Sequence, residues 1–175
     1  MKRNILIFSA MLFSATMVFL SCKKDKTDGT STLNVRLTDA PTAYEEVNVD
    51  IREVRVKFSD DTLSNSGWVT LTTYPGIYNL LAYQNGVDTL LGTGVFPLQT
   101  VKEIRFILGP NNTIKDAGVV YPLTIPSGSE SGLKIKINKK LNATLETIII
   151  DFDAALSVTK EGTGNYKLRP VLKIK

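Results

Sequence analysis

The chemistry open to this chain is narrow, because it contains no histidine. That removes Ser-His-Asp and Cys-His activation of a nucleophile, imidazole-based zinc sites and the usual general base near neutral pH. The glycine signatures of esterase elbows, phosphate-binding loops and dinucleotide-binding turns are absent too. Carboxylate chemistry remains, since glycoside hydrolysis needs only two acids at a suitable separation. Asp151 and Asp153 are the best pair. They flank Phe152, and on a strand they share one face about 6.6 Å apart. Three readings compete: a hydrolase pair, part of a calcium site completed by loop oxygens, or a structural pair. In the structural reading Asp153 caps a turn and Asp151 is solvated or salt-bridged. Asp39, just before Ala40-Pro41, is expected to close a turn by accepting backbone N–H groups. Its alternative is to ligate calcium together with Asp50. Asp60-Asp61 lacks the register of a calcium loop and reads as a solvated hairpin tip. No other cofactor is implied.

Aromatic side chains offer a second kind of chemistry. Trp68, Tyr74, Tyr78 and Tyr83 lie close in sequence and could stack on sugar rings. The competing reading is that a lone tryptophan belongs to the core. The polar loop from Pro126 to Gly132 has the composition of a binding loop or of a plain hairpin connection.

The one cysteine, Cys22, follows a secretory pattern. Lys2 and Arg3 precede an uncharged apolar run from Ile5 to Leu20, which is shorter than the roughly 20 residues of a spanning helix. Phe19-Leu20-Ser21-Cys22 then looks like a lipobox, with phenylalanine where leucine is usual. Residues 1–21 are expected to be a lipoprotein signal peptide, with Cys22 as the lipidated residue. A single thiol in an exported chain cannot form an internal disulfide, and lipidation would consume it. Residues 22–31 are polar and charged and read as a flexible tether. Residues 32–175 are expected to form one domain. Without residues 1–21 the formal charge falls from +4 to +2. No basic stripe interleaved with aromatics is present, so no nucleic-acid partner is expected.

Alternation with period two runs through the remaining chain. Leu33, Val35 and Leu37 alternate with Asn34, Arg36 and Thr38. Val47, Val49 and Ile51 set a phase that Val54, Val56 and Phe58 resume one residue out of step, which predicts a β-bulge or bend at Arg52-Glu53. Further strands are expected at Trp68 to Thr72, Val101 to Leu108, Val119 to Ile125, Gly132 to Asn138, Leu145 to Phe152 and Tyr166 to Ile174. Pro170 predicts an edge or a bulge in the last of them. Asn79 to Tyr83 is expected to form a short helical turn. Turns are expected at Pro75-Gly76 (type II), at Asn85-Gly86 (a two-residue hairpin), at Pro110-Asn111-Asn112, at Asp116-Ala117-Gly118 and at Gly162 to Asn165. The whole predicts an all-β antiparallel sandwich of eight to ten strands, immunoglobulin-like or transthyretin-like.

Several stretches in order carry a family resemblance: Leu37-Thr38-Asp39-Ala40-Pro41, Glu46 to Ile51, Gly67-Trp68-Val69, Ile104 to Gly109, Pro126 to Lys134 and Asp151-Phe152-Asp153-Ala154. Together they resemble the lipoprotein domain family known as domain of unknown function 4382, from Thr32 to Ile174. The resemblance implies an exported, membrane-anchored β domain and brings no catalytic residue. The Cys22-Lys23-Lys24-Asp25 start resembles Bacteroidetes lipoproteins, in which charges after the cysteine accompany export to the surface. Asp61-Thr62-Leu63 and Asp88-Thr89-Leu90 resemble the O-glycosylation pattern of such proteins, at Thr62 and Thr89. The expected function is a non-enzymatic binding module on the outer membrane, at its periplasmic face or the cell surface, with a glycan or protein partner. The alternatives are an assembly subunit pairing through a sheet edge and, behind it, a carboxylate hydrolase.

Overall fold

The computed structural model describes residues 29–60, 66–126, 132–162 and 164–175. Among these, fourteen strands form two sheets: β1 (Thr30–Thr38), β2 (Glu46–Lys57), β3 (Trp68–Thr70), β4 (Thr72–Thr73), β5 (Gly76–Asn79), β6 (Thr89–Pro97), β7 (Thr100–Leu108), β8 (Thr113–Asp116), β9 (Val119–Thr124), β10 (Leu133–Lys140), β11 (Leu145–Phe152), β12 (Val158–Glu161), β13 (Asn165–Leu168) and β14 (Leu172–Ile174). A 3₁₀ turn, Leu80–Tyr83, and one helical turn, α1 (Ala154–Ser157), complete the elements. The smaller sheet runs β14-β11-β1-β6-β4, and the larger runs β10-β7-β2-β8-β9-β13-β12 with β3 and β5 also on β2. This is an all-β, sandwich-like fold. Most pairs are antiparallel, but β1 runs parallel to β11 and β9 parallel to β13. The strand number exceeds the expected eight to ten because many strands are two to four residues long, too short for alternation to register.

The core follows from the alternation. Leu33, Val35 and Leu37 on β1 face Val47, Val49, Ile51, Val54 and Val56 on β2, and all are fully buried. Ile104 and Phe106 on β7 and Ile150 and Phe152 on β11 join them. Each such side chain stabilises the fold by about 1.5–3 kcal/mol through removal from water. The phase slip in β2 is a real irregularity: its register with β7 shifts between Ile51 and Glu53. That shift keeps Val54 and Val56 on the core face after Ile51.

β7 and β8 share one side of β2. Leu108 stands opposite Ile51 and Thr113 opposite Asn48, so Gly109 to Asn112 bulge out between them. On the other side of β2 the chain changes sheets twice. β3 and β5 pair with β2, while the intervening β4 pairs with β6. This corner joins the two sheets along one side of the sandwich.

Three local expectations are corrected by the long-range pairing. The stretch Tyr166 to Ile174 is not one strand: β13 belongs to the larger sheet and β14 to the smaller. Pro170, which cannot donate to a ladder, sits where the chain crosses between them. Asn85 and Gly86 do take left-handed backbone, with φ of 57° and 87°. They nevertheless join the 3₁₀ turn to β6 rather than two paired strands, and the Val87 N–H closes the turn on the Gln84 carbonyl at 3.1 Å. Gly76 lacks the positive φ of a type II turn and opens β5 instead. The short helix is found as the 3₁₀ turn, with the Asn79 side chain accepting from the Leu81 N–H at 3.2 Å.

Candidate functional site

Strand β1 ends beside strand β11, with Thr38 opposite Asp151. This far end of the sandwich gathers Asp39, Asp151 and Asp153. Asp39 is buried. Its Oδ1 accepts the Ala154 N–H at 2.9 Å and its Oδ2 accepts from Gln84 Nε2 at 3.0 Å. Burial pushes its carboxyl above the usual range, against the pull of those donors, and the charge of Asp151 adds to the rise. Asp153 caps α1 by accepting the Leu156 N–H at 3.0 Å and pairs with Lys173 Nζ at 2.9 Å. The Lys173 ammonium holds it below the usual range. Asp151 lies 3.9 Å from Lys175 Nζ, and its Oδ1 is buried without a hydrogen-bond partner. Ser157 completes the arrangement by accepting the Val171 N–H at 2.8 Å.

These contacts clasp five segments: the end of β1, the end of β11, α1, the residues after the 3₁₀ turn, and β14. Asp39 does take backbone N–H groups, from the adjacent Ala40 and, more strongly, from Ala154, 115 positions away. Asp50 is not part of the cluster. Its buried carboxylate takes the Asn111 N–H at 3.2 Å and a forked contact from Arg52, with Nε 2.7 Å from Oδ1 and Nη2 2.8 Å from Oδ2. Among the described residues no group of three or more acids, cysteines or histidines is disposed to hold a metal ion. Asp39 and Asp50 are engaged separately, Asp39 with Ala154 and Gln84 and Asp50 with Asn111 and Arg52.

Asp50 instead winds the bulge between β7 and β8. Its N–H donates to Asn112 Oδ1 at 2.9 Å, and its carbonyl accepts the Gly109 N–H at 2.7 Å. Asn112 Nδ2 closes on the Gly109 carbonyl at 2.7 Å. A Cβ on Gly109 would stand 2.2 Å from Asp50 Oδ2 and 2.5 Å from Arg52 Nε, so only glycine allows this approach. The bulge forms one wall of a groove of about 550 Å³. Leu108, Pro110 and Asn112 face Pro122, Thr124 and Ile125 across it. The described lining holds no ionisable and no aromatic side chain. This groove is the candidate site. The sequence marks Pro126 to Gly132 as a candidate binding loop, of which residues 127–131 lie outside the described residues, and marks Pro110-Asn111-Asn112 as a turn without a site. The signal available was the four-residue break Gly109-Pro110-Asn111-Asn112 between two alternating runs.

The candidate aromatic residues are engaged to different degrees. Trp68 is half-buried under charge: the Arg105 guanidinium lies 4.1 Å and Lys57 Nζ 5.8 Å from its ring centroid. A ring engaged this way has no free face to offer on that side. Tyr78 donates its hydroxyl to the Tyr74 carbonyl and lies 6.2 Å from the ring of Tyr83. Tyr74 alone of the three stays exposed. The cations over Trp68 belong to a cluster that sequence reading missed. Lys57, Glu103 and Arg105 are buried on the outer face of the larger sheet, where alternation predicts solvent. Burial and the neighbouring Arg55 lower the Arg105 pKa, while Glu103 opposes this. Thr89 is half-buried in β6, paired with Leu37, and Asp88 beside it is tied to Arg36. Cys22 and Thr62 lie outside the described residues.

An all-β sandwich whose acids bond to its own backbone and cations, and whose groove is neutral, defines the class. The chain belongs to the family described as a domain of unknown function, DUF4382, which matches residues 30–170. No curated protein and no solved structure matches it.

Proposed function

We propose that this chain is a non-enzymatic interaction module, held on the outer membrane through lipid on Cys22, that takes a segment of a protein partner in the groove beside the Gly109 to Asn112 bulge. The uncharged lining of that groove, apolar leucine, isoleucine and proline side chains interleaved with the polar Asn112 and Thr124, carries the reading. Such a surface suits a peptide segment, with apolar contacts for its side chains and polar groups for its backbone, and offers a glycan no ring to stack on. The candidate acids support it from the other side. Asp39, Asp50 and Asp153 each accept a backbone N–H, and none of these acids lines the groove.

The test is a thermal melt of the mature protein against panels of peptides, glycans and calcium. A ligand at about 100 times its dissociation constant adds roughly 2.7 kcal/mol. For a domain of this size that is a rise of about 5–10 °C. A peptide hit that disappears in Thr124→Trp, which fills the groove, is the expected result. A glycan or calcium hit that survives this substitution would place the activity elsewhere.

A further inference from the structure

The opposite end of the sandwich, where β1 begins, differs in character. Gly29 receives the Leu98 N–H on its carbonyl at 3.1 Å, and Thr32 stands between Val95 and Leu145 in adjacent strands. Both apolar neighbours are exposed, Val95 at 65% and Leu145 at 57%. On the larger sheet, β7 and β10 carry a group of lysines toward this end. Lys139 reaches Glu146 on β11 at 3.1 Å, which brings the end of β10 to the same end of the molecule. Lys140 follows it, opposite Thr100. Lys102 and Lys136 line a shallow depression of about 360 Å³ with Asn138 and Asp60. Lys102 is neutralised by Asp60 at 2.8 Å. Lys136 and Lys140 have no carboxylate partner among the described residues.

The chain leaves this end toward Cys22. Eight residue steps separate Cys22 from Thr30. Fully extended, they span no more than about 26–29 Å. An acyl group on Cys22 would keep this end within that distance of the membrane. Lys140 at this end and Lys136 further along the same strand, both without a carboxylate among the described residues, together with the exposed Val95 and Leu145, form the combination that an anionic bilayer surface attracts, the ammonium groups to phosphates and the apolar side chains to the interface.

We propose that this end of the sandwich docks on the anionic phospholipid headgroups of the membrane that holds the anchor, with Lys136 and Lys140 as the principal contacts. The inference rests on the lipid-anchor reading given above. Docking would fix the orientation of the domain and point the groove and the far end away from the lipid.

The experiment is lysine footprinting of the mature, full-length lipoprotein in vesicles, read by mass spectrometry with an amine-reactive label. One set of vesicles is phosphatidylcholine alone, and the other contains about one-third phosphatidylglycerol. Labelling of Lys136 and Lys140 is expected to fall about threefold or more on the anionic vesicles, because each lysine near such a surface is held to it. It should return at about 0.5 M salt, where screening is strong. Lys160 and Lys167, on the opposite edge of the larger sheet and paired with Asp116 and Glu161, should not change. Lys136→Glu with Lys140→Glu should abolish the protection of Lys139. Equal labelling of Lys136 and Lys140 on both vesicles, with an acylated N-terminal peptide in the same spectrum, overturns docking and leaves the anchor standing. A Cys22 peptide without acyl groups overturns both.

Discussion

The two ends of this sandwich use charge in opposite ways. At the far end three aspartates are buried; Asp39 and Asp153 accept from backbone N–H groups, an amide and Lys173 of the last strand, and Asp151 lies near Lys175 just beyond it. At the end where β1 begins, lysines stand in solvent and two of them lack an acid among the described residues. Buried charge must be satisfied in place, so it fixes geometry and contributes to stability. Exposed charge contributes little to folding and is left for a partner. The contrast teaches where to look: removal of a far-end or bulge acid should destabilise the fold, and removal of a near-end lysine should weaken binding.

Four measurements would break or sharpen that contrast. The largest effect is expected at Asp50, which holds the groove wall. Asp50→Ala strands the Asn111 N–H and the Arg52 guanidinium, and should cost about 3 kcal/mol in urea unfolding. Gly109→Ala comes next, since its Cβ meets Asp50 and Arg52, and overpacking of this kind costs about 1–3 kcal/mol. A variant as stable as the parent would show that the bulge gives way easily. Asp153→Ala removes the cap of α1 and should cost about 1 kcal/mol. Lys136→Glu should shift stability by no more than about 0.5 kcal/mol, the usual range for surface changes.

The acids at the far end also predict a pH signature. Burial raises Asp39 in the folded state. Its contribution is therefore full below its ordinary value of 3.8 and is lost as pH climbs through the folded pKa. Asp153 is lowered, first by Lys173. Its contribution is present above 3.8 and is lost as pH falls through the folded pKa. The stability advantage of the parent over Asp39→Asn should thus shrink from acid to neutral pH, while its advantage over Asp153→Asn should grow. Parallel curves for the two variants would mean that the acids do not sit in different environments.

Periodicity of two, read from Leu33 or Val47 alone, determined which faces are apolar. The phase slip at Arg52-Glu53 determined the bulge in β2, because face alternation and its interruption are local facts of the chain. Asp153 was legible as a cap for the same reason: its role is settled within three residues. The tertiary structure alone decided the rest. Whether Tyr166 to Ile174 serves one sheet or two depends on strands β11 and β12, which Pro170 merely separates. Glu103 and Arg105 alternate like solvent-facing residues, yet they are buried with Lys57 and Trp68 from other strands. The groove exists because Asp50 bonds a loop some sixty residues away. Pairing across such distances leaves no trace in local spacing, since any polar residue at Asn112 would read the same until the strand beside it is known.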